Sequence, residues 1–105
     1  TLAAVATGYS QNLIHRAADC MLKENRPLVL VVRETPLSLI HIQNMLTAKQ
    51  AGATILPASP GFYYKPKSVN DLIDFIVGKI LNYFKIEHDI FLPWDPENIG
   101  KDKLI

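Results

Sequence analysis

The apolar residues of the first part of the chain recur at helical spacing. Within residues 10–24 they fall at steps of three and four, with polar side chains elsewhere on the helical wheel; the apolar set is Leu13, Ile14, Ala17, Ala18, Met21 and Leu22. Ser10 is the expected N-cap, and Arg26-Pro27 ends the segment. The pattern predicts an amphipathic helix with a buried apolar face, in which Cys20 is a small core thiol.

Two short apolar runs without alternation follow this helix. They are Leu28-Val29-Leu30-Val31-Val32 and Ala53-Thr54-Ile55-Leu56. Unbroken runs of this kind are typical of strands that are covered on both faces, as in a parallel sheet. We therefore predict two buried parallel strands.

Two more helices are expected, one between the strands and one after them. Thr35-Pro36 is an N-cap followed by a proline suited to the first helical position, and Gly52 is the expected stop. The inner side of that helix would be formed by Leu37, Leu39, Ile40, Ile42 and Leu46. Ser68, with an acidic residue three positions later, opens the clearest helix, whose apolar face extends over residues 69–84.

The order of helices and strands predicts the fold class. Helix–strand–helix–strand–helix implies crossover connections, hence an α/β fold with a parallel sheet and helices on both faces. Such a sheet usually has about four to six strands, so two strands indicate part of a larger α/β layer. We assign residues 1–84 to one domain and residues 85–105 to a C-terminal tail.

Composition narrows the class of protein. The 105 residues are 49% hydrophobic and 20% charged with a net charge of +1, which predicts one soluble globular domain and no nucleic-acid footprint. No apolar run approaches the roughly 18 residues that cross a bilayer, no signal peptide is evident, and one cysteine forms no internal disulfide, so the cytoplasm is expected. The histidines lie too far apart for a metal site, and His15 and His41 are expected on helix surfaces.

Candidate chemistry lies after the two strands. In open α/β sheets, ligands bind at the carboxyl ends of strands, and these ends share one rim when the strands are parallel. Arg33-Glu34 follows the first strand, and residues 57–67 follow the second. The side chains that could converge there are Arg33, Glu34, Tyr63, Tyr64, Lys65 and Lys67.

Arg33 and Glu34 are adjacent, so in an extended backbone they point to opposite sides and each needs its own partner. A glutamate there can act as a general acid or base, and an arginine can hold a carboxylate, a phosphate or a heteroaromatic carbonyl. The alternative is that both form structural salt bridges, and their position leaves the two interpretations open.

A second candidate is a phosphate-binding set formed by Lys23, Tyr63, Lys65 and Lys79. Spacing alone favours a simpler interpretation, in which the lysines face water and the tyrosine covers a core.

Several motifs resemble those of the UbiX-like flavin prenyltransferases. Residues 33–45, RETPLSLIHIQNM, resemble that family's RETPLHLxHLxNM, and residues 22–30, LKENRPLVL, resemble its LKExRPLVL. Residues 52–63 resemble its GAxILPPxPAFY. The similarity extends from Thr1 to about Leu81 without a gap, and several motifs in the same order make it specific.

The resemblance implies a fold and an activity. The fold is flavodoxin/Rossmann-like, with three α/β/α layers, of which this chain carries the C-terminal half or slightly more. The activity joins the dimethylallyl group of dimethylallyl phosphate to N5 and C6 of reduced FMN, without a metal. The product, prenylated FMN, serves UbiD-like decarboxylases. The family also implies a homo-oligomer, a dodecamer, whereas the absence of nucleic-acid and membrane partners is expected from composition.

Residue roles also follow from the resemblance. Glu34 would be the catalytic acid/base, and Arg33 would contact the isoalloxazine. Lys23, Tyr63 and Lys79 would hold the substrate phosphate. A further candidate is Trp94, which corresponds loosely to a tryptophan near the site.

The sequence departs from the family in three respects. Lys79 stands where the family has an arginine, and lysine keeps the charge but loses the bidentate fork. Ser38 replaces the usual histidine. The family's first strand, its Gly-Ser/Thr-Gly phosphate loop, a catalytic serine and a second glutamate have no counterpart before Thr1.

Two other functions remain open. One is a related flavoprotein that decarboxylates peptidyl or pantothenoyl cysteine; it is disfavoured because no PxMNxxMW-like stretch occurs and Cys20 falls inside a helix. The other is a non-catalytic FMN-binding or assembly fragment, which would bind flavin without turnover.

Overall fold

The computed structural model describes residues 1–90, and Trp94 lies outside them. The elements are α1 (Leu2–Thr7), α2 (Leu13–Lys23), β1 (Val29–Val32), α3 (Leu39–Gln50), β2 (Thr54–Pro57) and α4 (Val69–Tyr83). The chain divides into two compact units, Thr1–Ala58 and the residues from Ser59 onward. Both predicted strands and all three predicted helices are present, whereas α1 was not predicted. A helix of only six residues is marginal alone, and α1 packs on α2 and α3.

The sheet of the first unit consists of β1 and β2, which pair in parallel. Val29 lies opposite Thr54 and Val32 opposite Pro57, with α3 as the crossover between the strands. The ladder continues at its far end, where the Ala58 N–H donates to the Val32 carbonyl at 2.8 Å. The predicted parallel pairing is therefore confirmed.

Two predicted helix starts are wrong. Helix α2 begins after Asn12 and not after Ser10, because the Asn12 side chain accepts the His15 N–H at 2.9 Å. Helix α3 begins after Ser38 and not at Thr35-Pro36, which lies in the preceding loop with a cis peptide bond. In both cases the side chain that accepts the N–H of the third helical residue determines the start.

The four helices of the described part end in the same way. Each is followed by a residue with a left-handed backbone, namely Gly8, Asn25, Gly52 and Lys85. After α3, the Gly52 N–H donates to the Lys49 carbonyl and the Ala53 N–H to the Ala48 carbonyl, the pair of bonds of a Schellman motif. With φ at +119°, Gly52 adopts a conformation that side chains disfavour, and the predicted stop at this residue is confirmed.

The residues buried in the first unit are small, apart from one histidine. They are Val5, His15, Ala18, Ala48 and Ala53. The prediction that Leu39 and Ile40 lie on the inner side of α3 is wrong. Within residues 1–90 their side chains are 68% and 67% exposed. Apolar side chains surround α3 almost completely, and the face that packs against α1 and β2 is the one that carries Ala48.

Three other predictions about burial are also wrong for the described residues. Helix α2 buries the side of His15 and Ala18, so His15 is not a surface residue and Leu13 is 80% exposed. Cys20 is an exposed free thiol and not a core residue. Val31 of β1 is 46% exposed, so within residues 1–90 the strand is not covered on both faces.

The second unit contains α4, whose start is confirmed at Ser68. The Ser68 hydroxyl accepts the Asp71 N–H at 3.2 Å. Val69 and Ile73 are exposed, and Gly78 is buried. Among the helices of residues 1–90, none is both long and apolar enough to cross a membrane.

Candidate functional site

Arg33 and Glu34 directly follow the last residue of β1, and both side chains are exposed. Because the Val32 carbonyl accepts the Ala58 N–H, the loop that follows β2 begins beside them. The expectation that both loops start at the same edge of the sheet is therefore confirmed. This edge is the carboxyl end of a parallel sheet, where α/β proteins bind ligands.

The segment that carries Arg33 and Glu34 is fixed at both ends. The strand pairing holds one end, and the N-cap of α3 holds the other. The Ser38 hydroxyl accepts the His41 N–H at 3.1 Å, and His41 Nδ1 accepts the Ser38 N–H at 3.1 Å. This reciprocal capping box explains Ser38, to which the resemblance gave no role.

Lys23 is placed differently from Arg33 and Glu34. It is the last residue of α2, and residues 24–28 lead from it to the amino end of β1. The strand then separates that end from the carboxyl edge by about 13 Å, the rise of four strand residues. An exposed lysine in the last helical turn also interacts favourably with the helix dipole, which is a structural role.

Tyr63, Tyr64, Phe75 and Lys79 form a cluster in the second unit. The Tyr64 and Phe75 rings stack with centroids 5.0 Å apart and an interplanar angle of 10°. The Tyr63 ring stands edge-on to both, 5.9 Å from Tyr64 and 6.0 Å from Phe75. Lys79 Nζ lies 5.3 Å from the centre of the Phe75 ring, within the range of a cation–π contact.

This cluster brings together two of the three residues assigned to the phosphate. Tyr63 and Lys79 both contact Phe75, and both are exposed. Phe75 was missed as a site residue, because its sequence neighbourhood indicates only an apolar helix face. The available signal was its spacing of four residues from Lys79, which places the two side chains together on a helix.

Three hydrogen bonds converge on Asp71 at the start of α4. Its carboxylate Oδ2 accepts the Lys67 N–H at 2.8 Å, its carbonyl accepts the Tyr64 hydroxyl at 3.0 Å, and its N–H donates to Ser68. Burial raises the pKa of Tyr64 above its ordinary value of 10.0, and the neighbouring Asp71, Tyr63 and Asp74 raise it further. The hydroxyl therefore remains a donor over the physiological range of pH.

Gly61 allows the Tyr63 ring to approach the backbone. A Cβ atom at Gly61 would lie 2.5 Å from Tyr63 Cε1 and 3.3 Å from Phe75 Cζ. The first distance is far below a van der Waals contact, so any side chain at this position would displace the Tyr63 ring.

The three histidines make local structural contacts. In each of them Nδ1 accepts a backbone N–H: His15 from Gln11, His41 from Ser38 and His88 from Ile90. Within residues 1–90, no group of three His, Cys, Asp or Glu side chains is arranged to hold a metal ion. The exposed guanidinium of Arg33 stands at the carboxyl edge of the sheet, and a planar guanidinium can donate hydrogen bonds to carbonyl groups such as those of a flavin ring.

The chain is similar to several characterised proteins. Residues 1–81 match the Flavoprotein family. Flavin prenyltransferase UbiX of Pseudomonas aeruginosa is 55% identical over 103 residues, which cover 98% of this chain and 49% of that protein. Flavin prenyltransferase UbiX of Methanothermobacter thermautotrophicus is 54% identical over 99 residues, which cover 94% and 52% of the two chains.

Solved structures of UbiX-like proteins also superpose on this chain. AnUbiX in complex with FMN and dimethylallyl pyrophosphate superposes with a TM-score of 0.86 at 52% identity, over 90% of this chain and 50% of that one. A dodecameric FMN-dependent UbiX-like decarboxylase from Escherichia coli O157:H7 superposes with a TM-score of 0.85 at 44% identity, over 90% and 51% of the two chains.

These similarities confirm the predicted flavodoxin-like α/β fold and the resemblance to the flavin prenyltransferases. The chain spans about half the length of the curated relatives it matches. Because the match to the family covers most of the chain, from residue 1 to residue 81, we conclude that the chain belongs to the Flavoprotein family.

Proposed function

We propose that this chain forms part of a flavin prenyltransferase, which transfers a dimethylallyl group from dimethylallyl phosphate to reduced FMN. The observation that carries the proposal is the similarity to AnUbiX, a protein solved with FMN and dimethylallyl pyrophosphate, at 52% identity and a TM-score of 0.86. The named relatives, flavin prenyltransferases at 54–55% identity, support the same activity.

Glu34 is proposed as the acid/base residue. The reaction breaks the bond between the allylic carbon and the phosphate oxygen, and the electron pair leaves with the phosphate. Reduced FMN supplies N5 and C6 as the nucleophilic atoms to which the prenyl group becomes joined. The allylic carbon that loses the phosphate bonds to N5, and the prenyl alkene, protonated at its inner carbon, bonds through its tertiary carbon to C6. N5 and C6 each release one proton, and an exposed carboxylate can pass one to the alkene and one to the departing phosphate, so that bonds and protons balance.

The remaining residues are proposed to bind and orient. Arg33 offers a planar guanidinium to the flavin ring. Lys79 and Tyr63 both contact the Phe75 ring, and their ammonium group and hydroxyl are a donor pair suited to phosphate oxygens. Lys23 is proposed as a third phosphate contact on the resemblance alone. Trp94, which lies outside the described residues, is proposed on the resemblance alone.

A homo-oligomer is proposed as the working state. The E. coli relative named above is a dodecamer. In this chain, the large apolar side chains of α3 are exposed within residues 1–90, and burial of such side chains is the usual source of stability in an obligate interface. Light scattering of the intact protein tests the assembly; a monomer at micromolar concentration would contradict it.

The activity is tested by incubating the intact protein with reduced FMN and either dimethylallyl phosphate or dimethylallyl pyrophosphate. A flavin whose mass has increased by one prenyl group supports the proposal, and comparison of the two donors identifies the substrate. Retention of FMN without a new flavin mass would instead indicate a binding or assembly protein. Release of carbon dioxide from an added peptidyl or pantothenoyl cysteine would indicate the related cysteine decarboxylase.

Glu34→Gln is expected to reduce the rate of prenyl transfer by a factor of about 100 or more, the usual contribution of a general acid or base. Glu24→Gln is the matched control, because Glu24 is an exposed glutamate at the end of α2. Equal rates for the two variants would show that Glu34 has no part in the proton transfer.

A further inference from the structure

We infer that Tyr64 and Asp71 are positioning residues for Tyr63, and that they set the direction in which Tyr63 meets the substrate phosphate. This inference rests on the proposed function, because it assumes that Tyr63 binds phosphate. Neither Tyr64 nor Asp71 has a role in the assignments above.

The Tyr64 ring is held at its face and at its tip. Its face stacks on Phe75 at 5.0 Å, and its hydroxyl donates to the Asp71 carbonyl at 3.0 Å. Both partners lie on α4, within the first two turns. A ring fixed at two points on a rigid helix has little rotational freedom, so it gives the Tyr63 ring a fixed surface to pack against.

Asp71 fixes the loop as well as the ring. Its carboxylate accepts the Lys67 N–H at 2.8 Å, and its N–H donates to the Ser68 hydroxyl at 3.2 Å. The segment between Tyr64 and Ser68 is thus tied to the helix at both ends. Lys65, whose φ is +57°, lies in a turn before this segment. Its N–H donates to the Phe62 carbonyl at 3.1 Å, which connects the anchored segment back to Phe62.

Tyr63 itself has weaker restraints. It is 55% exposed, and its described contacts are the edge-on contacts with Tyr64 and Phe75. Its orientation therefore depends on the stack beside it and on the absence of a side chain at Gly61. Lys79 contacts the same Phe75 ring, so one stack sets the separation of the two proposed phosphate donors.

The test compares single and double variants of the intact protein in its natural assembly. The dissociation constant of dimethylallyl phosphate is measured calorimetrically, and that of FMN is measured as a control for folding. Tyr64→Phe keeps the stacked ring and removes only the hydroxyl. We expect it to weaken dimethylallyl phosphate binding about fivefold, the effect of one lost hydrogen bond, and to leave FMN binding unchanged.

The double variant separates positioning from a general structural effect. If Tyr64 acts only through Tyr63, Tyr64→Phe has no further effect in a Tyr63→Phe background. Multiplying effects in the double variant, or an unchanged dissociation constant in Tyr64→Phe alone, would overturn the inference. An unchanged dissociation constant in Tyr63→Phe would instead overturn the proposed role of Tyr63 in phosphate binding.

Variants at Asp71 test the second anchor. Asp71→Asn keeps an oxygen that can accept the Lys67 N–H, so it is expected to bind dimethylallyl phosphate within about twofold of the wild type, whereas Asp71→Ala is expected to lose about fivefold. Asp74→Ala removes a neighbouring exposed carboxylate of α4 and is the matched control. Equal losses for Asn and Ala at position 71 would show that charge, and not the hydrogen bond, is what matters, and would overturn the role of Asp71.

Discussion

The N-cap of α3 gives the sharpest test of the structure, because sequence and structure place it at different residues. Sequence pattern predicts the cap at Thr35, and the structure places it at Ser38. Both are exposed hydroxyl residues three positions apart, so Thr35→Ala and Ser38→Ala are matched perturbations.

The expected magnitude follows from the one hydrogen bond of the cap that the Ser38 hydroxyl makes. Replacement of an N-cap serine by alanine costs about 1 kcal/mol of stability. Ser38→Ala removes the hydroxyl that accepts the His41 N–H, and it keeps the backbone N–H that donates to His41 Nδ1. Because Ser38 is exposed, water replaces part of the lost bond, and a cost of about 1 kcal/mol is expected rather than the upper limit of about 2 kcal/mol. Thr35→Ala is expected to change the free energy of unfolding by less than about 0.5 kcal/mol.

The assay is urea unfolding of the intact protein, followed by circular dichroism, with the transition midpoint compared at constant slope. Ser59→Ala, at an exposed serine outside the helices, is the control for loss of a hydroxyl. A lower midpoint for Thr35→Ala together with an unchanged midpoint for Ser38→Ala would refute the start of α3 described here. His41→Ala should show a smaller loss that is not additive with that of Ser38→Ala, since the two bonds are reciprocal.

Two other predictions concern the interior and the alkaline range of pH. Ala48 is completely buried, so Ala48→Leu is expected to lower the free energy of unfolding by about 1–3 kcal/mol, whereas Ala17→Leu on the exposed side of α2 should change it by less than about 0.5 kcal/mol in the same urea assay. The pKa of Tyr64 is raised on folding, so its contribution to stability is fully present below pH 10 and is lost as the pH rises through the higher folded value. Stability measured against pH should therefore fall less steeply in the alkaline range for Tyr64→Phe; an identical slope would contradict the raised pKa.

Local chemistry in the sequence was sufficient to predict the strands and one helix end. Aliphatic runs without alternation identified both strands, and Gly52 marked the end of α3, since the residue there must adopt a left-handed backbone. The N-cap of α4 at Ser68 was predicted as well, whereas the N-caps of α2 and α3 were not. Thr35 and Ser38 are both suitable caps, and the choice depends on whether the His41 ring can return a hydrogen bond.

Burial was predicted less well, because it depends on which partner packs on each face. Apolar residues occur on nearly every side of α3, so periodicity does not distinguish the face with Ala48 from the face with Leu39 and Ile42. In the candidate site, too, features set by local sequence were predicted and features set by packing were not. Arg33 and Glu34 were located by their position after a strand, whereas the stack of Tyr64 on Phe75 requires the loop to fold back on α4.

The parallel register of β1 and β2 has a consequence for the order of folding. Every residue pair between the strands spans the same interval of chain, from Val29 and Thr54 to Val32 and Pro57, and α3 fills that interval. Closing this one loop brings all four residue pairs of the ladder together. The entropic cost of loop closure is therefore incurred once for the whole ladder. The unit β1–α3–β2 is expected to form in the transition state for folding. Substitutions within it should then slow folding, and substitutions in α4 should mainly accelerate unfolding, which stopped-flow measurements of both rates distinguish.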